Sequence, residues 1–157
     1  MSAMPPQKPG RSKQDYGTPW GLIRAVEYRF GVLMYDLAAS DDNHKADMWA
    51  TEEEDSLVLD WSALPAGLLW LNPPFADITP WAKKCAAEKN RGARILMLVP
   101  ASVGSNWFAE HVHGQAMVYA LAPRLTFEGC AQPYPKDCML CHYSPIVGPG
   151  FSVWRWK

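Results

Sequence analysis

The residues with the clearest chemical content are Asn72-Pro73-Pro74-Phe75, which close the apolar run 67–72 within the stretch LWLNPPFADITPWAKK. Two consecutive prolines remove two backbone donors and fix φ, so neither a strand nor a helix continues through them. The result is a rigid corner at a strand end. It can hold the Asn72 carboxamide oxygen and a nearby backbone carbonyl as two fixed acceptors, with the flat face of Phe75 beside them. Two acceptors and a stacking surface suit a planar amino group such as the exocyclic N6 of adenine. Accepting both amino hydrogens turns the nitrogen lone pair out of conjugation, toward an electrophile. Preorganised dipoles then stabilise the positive charge that develops on nitrogen. Such chemistry requires neither a metal nor a covalent nucleophile. Taken alone, the tetrapeptide is also compatible with a plain rigid turn.

Two further acidic positions close predicted strands. Asp36 precedes Leu37-Ala38-Ala39-Ser40, and Asp60-Trp61 ends the apolar run SLVLDW. In an open parallel sheet the carboxyl ends of the strands line one crevice, so the three motifs are expected to share it.

The elements that would position these groups alternate between strand and helix. Thr18-Pro19 supplies an N-cap and a first-turn proline. Trp20, Ile23, Val26 and Phe30 then recur at helical spacing, and Gly31 ends the helix. Strands are expected at 32–36, in SLVLDW and at 67–72. Thr79-Pro80 opens a second helix, ended by Gly92, and 93–100 reads as a fully buried strand. Ser105 caps a short helix. AMVYALA, RLTFEG and CMLCHYS suggest further strands, the last two separated by a loop containing AQPYPKD, and FSVWRW suggests an edge strand. Residues 41–55 are polar and irregular. Alternation in the first two-thirds implies parallel strands, and the last third reads as antiparallel hairpins. The fold class is therefore α/β: a mostly parallel sheet with helices on its faces and a C-terminal antiparallel hairpin. It would form a single domain over 16–157, behind a flexible arm at 1–15 that carries Lys8, Arg11 and Lys13.

Composition bounds the partners. The 157 residues are 48% hydrophobic and 20% charged, which is globular rather than disordered, and the formal net charge of −1 gives no global attraction to polyanions. A nucleic-acid partner must therefore meet a local patch. Lys83, Lys84, Lys89, Arg91 and Arg94 form a basic face directly after the corner, suited to phosphates or simply to solvent. The eight tryptophans are numerous enough to serve both core and stacking roles. His111 and His113 read as surface residues. No secretory segment and no run of 18 apolar residues is present, so the four cysteines read as reduced cytosolic thiols. CMLCH has the spacing of a c-type haem attachment, but it alternates as a strand and is read as one.

The ordered set of motifs resembles the short Dam-type DNA N6-adenine methyltransferases of phages and prophages. Asn72-Pro73-Pro74-Phe75 is similar to the Asp/Asn-Pro-Pro-Tyr/Phe motif of S-adenosylmethionine-dependent amino methyltransferases. TPWGLIRAVEYRFG resembles the segment opening the family's first helix, MYDLAAS its first-strand motif and LDW its Asp-aromatic pair; LVP and RLTFEG continue the order. The resemblance implies a compact, reduced Rossmann-like sheet. It implies that Thr18 and Pro19 meet the methionine end of S-adenosylmethionine, with Asp36 near its amino group or ribose. Ala38 and Ala39 would allow close backbone approach, and Asp60 and Trp61 would hold the cofactor's adenine. Asn72 and Pro73 would hold the target N6, with Phe75 stacked on a base flipped from duplex DNA at a cost of roughly a few kcal/mol. Lys83, Lys84 and Arg91 are the phosphate candidates. The chain departs from the family in having Ala38-Ala39-Ser40 where Gly-x-Gly is usual. The ribose-binding acid has no clear position, Glu52, Glu53, Glu54 and Asp55 being candidates. Loops near 101–115 and 129–137 would carry any sequence specificity. RNA adenine, cytosine N4, a protein glutamine amide, or a silent binding module of the same fold remain alternatives.

Overall fold

In the computed structural model, which describes residues 16–157, the apolar runs form one six-stranded sheet between two helical layers. The strands are β1 (Leu33–Asp36), β2 (Leu68–Leu71), β3 (Arg94–Pro100), β4 (Met117–Ala122), β5 (Cys138–Tyr143) and β6 (Gly150–Arg155). Their spatial order is β1-β2-β3-β5-β4-β6. β1, β2 and β3 are mutually parallel, β5 runs antiparallel between β3 and β4, and β6 pairs parallel with β4. Five strands thus point one way, and their carboxyl ends share one edge.

Each strand of the parallel half is buried on both faces, which explains its unbroken hydrophobic run. Along β3, Ile95, Met97 and Val99 join one core, and Leu96 and Leu98 the other. Helix α1 (Trp20–Phe30) covers the second face with Leu22, Ile23 and Val26. Helix α2 (Thr79–Lys89) and the short α3 (Asn106–His111) cover the first, through Trp81, Ala82, Cys85 and the half-buried Trp107 and Phe108. Gly31 ends α1 at φ 113, a left-handed-side conformation that only glycine adopts without strain. Ser105 caps α3, its hydroxyl accepting from the Phe108 amide at 3.3 Å. CMLCH lies in β5, a wholly buried strand, and Cys138 and Cys141 are free thiols within it.

Three expectations are corrected. SLVLDW is not a strand but two 3₁₀ turns, Ser56–Val58 and Trp61–Ala63. The Asp55 and Asp60 carboxylates accept from the amides of Leu57 and Ser62 and so draw the backbone away from a ladder. RLTFEG is a loop. Its backbone bonds go to Tyr134, Cys130 and Gly17 rather than to a neighbouring strand. Finally, α1 starts one residue later than Thr18 suggests: Pro19 is the N-cap and no side chain caps the helix. The Thr18 hydroxyl is engaged elsewhere, as described below. β6 is the expected edge strand and pairs parallel with β4. The expected arm at 1–15 lies outside the described residues.

Candidate active site

Asn72 leaves β2 at the carboxyl edge of the sheet and is 8% exposed, with Pro73 and Pro74 buried behind it. Its side-chain nitrogen donates to the Tyr16 carbonyl at 3.1 Å and to the Thr18 hydroxyl at 3.1 Å. A backbone carbonyl only accepts, so the Tyr16 contact fixes which end of the amide is nitrogen. Both amide hydrogens are thereby used, and Oδ1 is left as the acceptor that the corner presents. Phe75, half-buried, packs edge-on to Phe127 at 6.0 Å and tilted to Tyr134 at 5.9 Å; Phe127 and Tyr134 meet at 5.5 Å and 90°. Both partners come from the 123–137 loop between β4 and β5. Phe75, three residues beyond Asn72, thus joins an aromatic cluster with this loop.

Asp36 ends β1 on the same edge. Its carboxylate is buried and accepts from the amides of Ala38 at 3.3 Å and Lys45 at 2.9 Å. Its backbone bonds to Met48 and Ala50, so the 41–50 segment returns along the outer side of β1. Burial pushes the Asp36 carboxyl up to about 6, against the opposing pull of the two amides and of Lys45 and His44. Lys45 is itself 6% exposed; its ammonium pairs with Glu128 at 2.7 Å and lies 4.2 Å from the centre of the Trp20 ring. Thr18, Asp36, Ala38 and Asn72 line a cavity of about 10 Å³ together with Gly17, Asn43 and Lys45. The last three also line an adjoining cleft of about 760 Å³ that runs beside α1.

The raised Asp36 carboxyl has a measurable consequence. The fold binds that proton more tightly than the unfolded chain does. The resulting stability is complete below the ordinary value near 3.8 and is lost as pH rises through about 6. Relative to Asp36→Asn, which cannot ionise, the wild-type chain is expected to lose about 2 kcal/mol of unfolding free energy between about pH 4 and about pH 7. Urea unfolding of both chains across that range checks it. A pH-independent difference between them would contradict a buried, destabilised carboxylate.

The sequence-derived site residues divide into two groups. Thr18, Asp36, Ala38, Asn72 and the buried prolines Pro73 and Pro74 lie together, with Phe75 adjacent. Pro19 sits beside them with its carbonyl accepting from Leu22 and Ile23, which starts α1, and Ala39 donates its amide to Ala50. Asp60 and Trp61 are not brought there. Asp60 is exposed and pairs with Arg91 at 3.0 Å, beside the residues that lead into β3, hence at the opposite edge of the sheet. Ser62 and Arg91 hold its carboxylate below the ordinary value. Trp61 is 2% exposed, and its indole N–H donates to the Ser56 carbonyl at 2.8 Å. Lys84 pairs with Glu88 at 3.1 Å, 5.3 Å from the centre of the Trp61 ring. Lys84 is thus tied to the buried Glu88 and Arg91 to the exposed Asp60, while Lys83 is exposed on α2. In the acidic run, Glu54 accepts from Thr51, Asp55 caps a turn, and Glu52 and Glu53 face solvent.

Sequence reasoning missed Asn43, Lys45, Glu128 and Tyr134. The first two lie in a polar stretch without periodicity. The only signal was their place after the Asp36 strand end, where a crevice is expected. Glu128 and Tyr134 belong to the loop that was partly read as a strand.

Among the described residues, no helix is long and apolar enough to cross a membrane, and no group of three or more His, Cys, Asp or Glu is placed to hold a metal. Residues 7–136 match the family described as DNA N-6-adenine-methyltransferase (Dam). Two phage proteins named DNA N-6-adenine-methyltransferase are similar. That of Escherichia phage T1 is 26% identical over 140 residues, and that of Haemophilus phage HP1 is 25% identical over 118 residues. The matches take in 89% and 73% of this chain but 58% and 66% of those relatives, so the chain spans about three-fifths to two-thirds of their length. With the family match covering the Asn72 corner, the Asp36 strand end and the aromatic loop, the chain belongs to the DNA N-6-adenine-methyltransferase (Dam) family.

Proposed function

We propose that this chain transfers a methyl group from S-adenosylmethionine to the exocyclic N6 of adenine in DNA. The observation that carries the reading is the Asn72 corner. Its amide is held by both hydrogens, which leaves its oxygen as the free acceptor; Phe75 follows three residues on within an aromatic cluster, and Asn72 lines one cavity with the buried Asp36 carboxylate. The names of the phage relatives supply the choice of adenine and of DNA.

The cofactor fits the polar character of this edge. The cavity at Asp36 alone is far too small for a nucleoside, but it adjoins a cleft of about 760 Å³ through Gly17, Asn43 and Lys45. Asp36 carries a carboxylate suited to a cationic amino acid end, and Ala38 leaves its backbone approachable. Lys45 and Asn43 offer polar contacts on the cleft side. When bound, S-adenosylmethionine supplies an electrophilic methyl carried by a sulfonium.

The chain's own residues do the rest by orientation and electrostatics. Asn72 Oδ1 and the Pro73 carbonyl accept the two hydrogens of the target amine, and Phe75 stacks against its ring. The amine lone pair is then turned toward the methyl; as the bond to nitrogen forms and the bond to the sulfonium breaks, the fixed dipoles stabilise the charge that appears on nitrogen, which is discharged when one N–H proton passes to solvent. A flipped base is reached by unstacking it from the duplex. Of the three basic candidates for phosphate contact, Lys84 and Arg91 are weaker than Lys83, since they already pair with Glu88 and Asp60. Phosphate contacts are better sought near Lys136 and Lys83. As a phage-type enzyme it would act in the host cytoplasm.

Incubation with methyl-labelled S-adenosylmethionine and, separately, duplex DNA, RNA and protein decides the substrate. Label in DNA supports the proposal. Label in RNA or protein alone replaces the substrate, and no label together with no calorimetric binding of the cofactor makes the chain a silent module.

A further inference from the structure

One short segment, Tyr16-Gly17-Thr18, holds several parts of the corner at once. Its Tyr16 carbonyl and Thr18 hydroxyl each receive one hydrogen of the Asn72 amide, at 3.1 Å in both cases. Its Gly17 carbonyl receives the Glu128 amide at 2.9 Å, which ties down the loop that carries Phe127. The Tyr16 ring lies 6.3 Å from that of Phe127. Thr18 is 1% exposed and does not cap the helix that follows it, so its hydroxyl is committed to Asn72 rather than to the backbone. A Cβ at Gly17 would meet the Glu128 carboxylate and the Asn43 amide, so both side-chain ends would have to move aside.

We infer that Thr18 is a positioning residue for the methyl-transfer reaction: its hydroxyl, with the Tyr16 carbonyl, locks the Asn72 amide so that Oδ1 faces the target amine. The inference rests on the reading of Asn72 as the amine acceptor. It differs from the family resemblance, which assigns Thr18 to the cofactor. A primary amide with one hydrogen bonded can pivot about the bond to its Cβ; with both hydrogens bonded to fixed acceptors it cannot. An acceptor that pivots spends part of its time misaligned, and the loss appears in the chemical step rather than in binding.

The test is Thr18→Val, which keeps the shape and removes the hydroxyl, set against Thr18→Ser, which keeps it. Loss of one such bond in the transition state is expected to lower kcat about tenfold at saturating cofactor and DNA. The calorimetric Kd for S-adenosylmethionine should stay within about twofold, and the serine variant should return to within about threefold of wild type. If Thr18→Val instead weakens cofactor binding and leaves saturated kcat unchanged, Thr18 serves the cofactor and the inference is overturned. Wild-type kinetics in Thr18→Val overturn it as well. A measurement on the unmodified chain guards against a variant that does not fold. The Asn72 side-chain amide hydrogens should exchange with solvent far more slowly than those of an exposed asparagine, and exchange at the exposed rate would contradict the double lock. Failure of the underlying reading is distinguishable. Asn72→Ala with undiminished transfer removes Asn72 from the chemistry, whereas a silent Asn72→Ala with a normal Thr18→Val removes only Thr18.

Discussion

Asn72→Ala is expected to lower methyl transfer by roughly 10²–10³-fold or more, the scale on which removing one preorganised dipole acts. Cofactor binding should be largely intact. The reasoning starts from the hydrogen bonds. Both amide hydrogens of Asn72 face inward, to Tyr16 and Thr18, and so the group's remaining function is to accept from a ligand. Truncation removes that acceptor and leaves Asp36 with its two amide donors untouched. The structural cost is modest, about 1–3 kcal/mol for the contacts left behind. Steady-state transfer and calorimetry on the same preparation separate the two effects. Parallel loss of transfer and of cofactor affinity would mean that the corner belongs to the cofactor's binding site.

Trp61→Ala should unfold the chain more readily without touching the chemistry. The ring is buried in the core shared with Leu37, Leu69 and Trp81, and the indole N–H bonds to the Ser56 carbonyl. Ser56 in turn donates its hydroxyl to the Leu37 carbonyl, one residue beyond Asp36. Large-to-small truncation of a buried aromatic costs about 3–5 kcal/mol. Urea unfolding of Trp61→Ala is expected to show a loss of that order. At low temperature, where the variant is still folded, its affinity for S-adenosylmethionine should match wild type. Unchanged stability with lost cofactor affinity would restore Trp61 to the role that the resemblance gives it.

That contrast shows what was legible in the sequence. The strands of the parallel half read correctly because they are buried on both faces, and such runs carry no competing signal. The Asn-Pro-Pro-Phe corner was legible because two prolines admit few backbone geometries. Asp36 was legible because a strand that ends before small residues leaves space for a crevice at the carboxyl edge of the sheet. Asp60-Trp61 misled for a physical reason. An acidic residue after an apolar run looks like a strand end, but the Asp60 side chain captures the Ser62 amide and turns the chain. Ser62 and Arg91 then satisfy Asp60 locally. Lys45 and Glu128 were invisible because they are 83 residues apart and their pairing depends on two loops meeting over Gly17. Local propensity carries no information about such a contact. Thr18 was found as a residue but given the wrong local partner: α1 starts at Trp20 with Pro19 as its N-cap, which leaves the Thr18 hydroxyl to Asn72.

Whether the corner presents its acceptors to an adenine amine is decided by the chemical identity of the product. Duplex DNA reacted with S-adenosylmethionine and the wild-type chain, digested to nucleosides and resolved by mass, should contain N6-methyldeoxyadenosine, and the Asn72→Ala reaction should not. Methyl found on cytosine N4, or N6-methyldeoxyadenosine formed equally well by Asn72→Ala, would contradict the account.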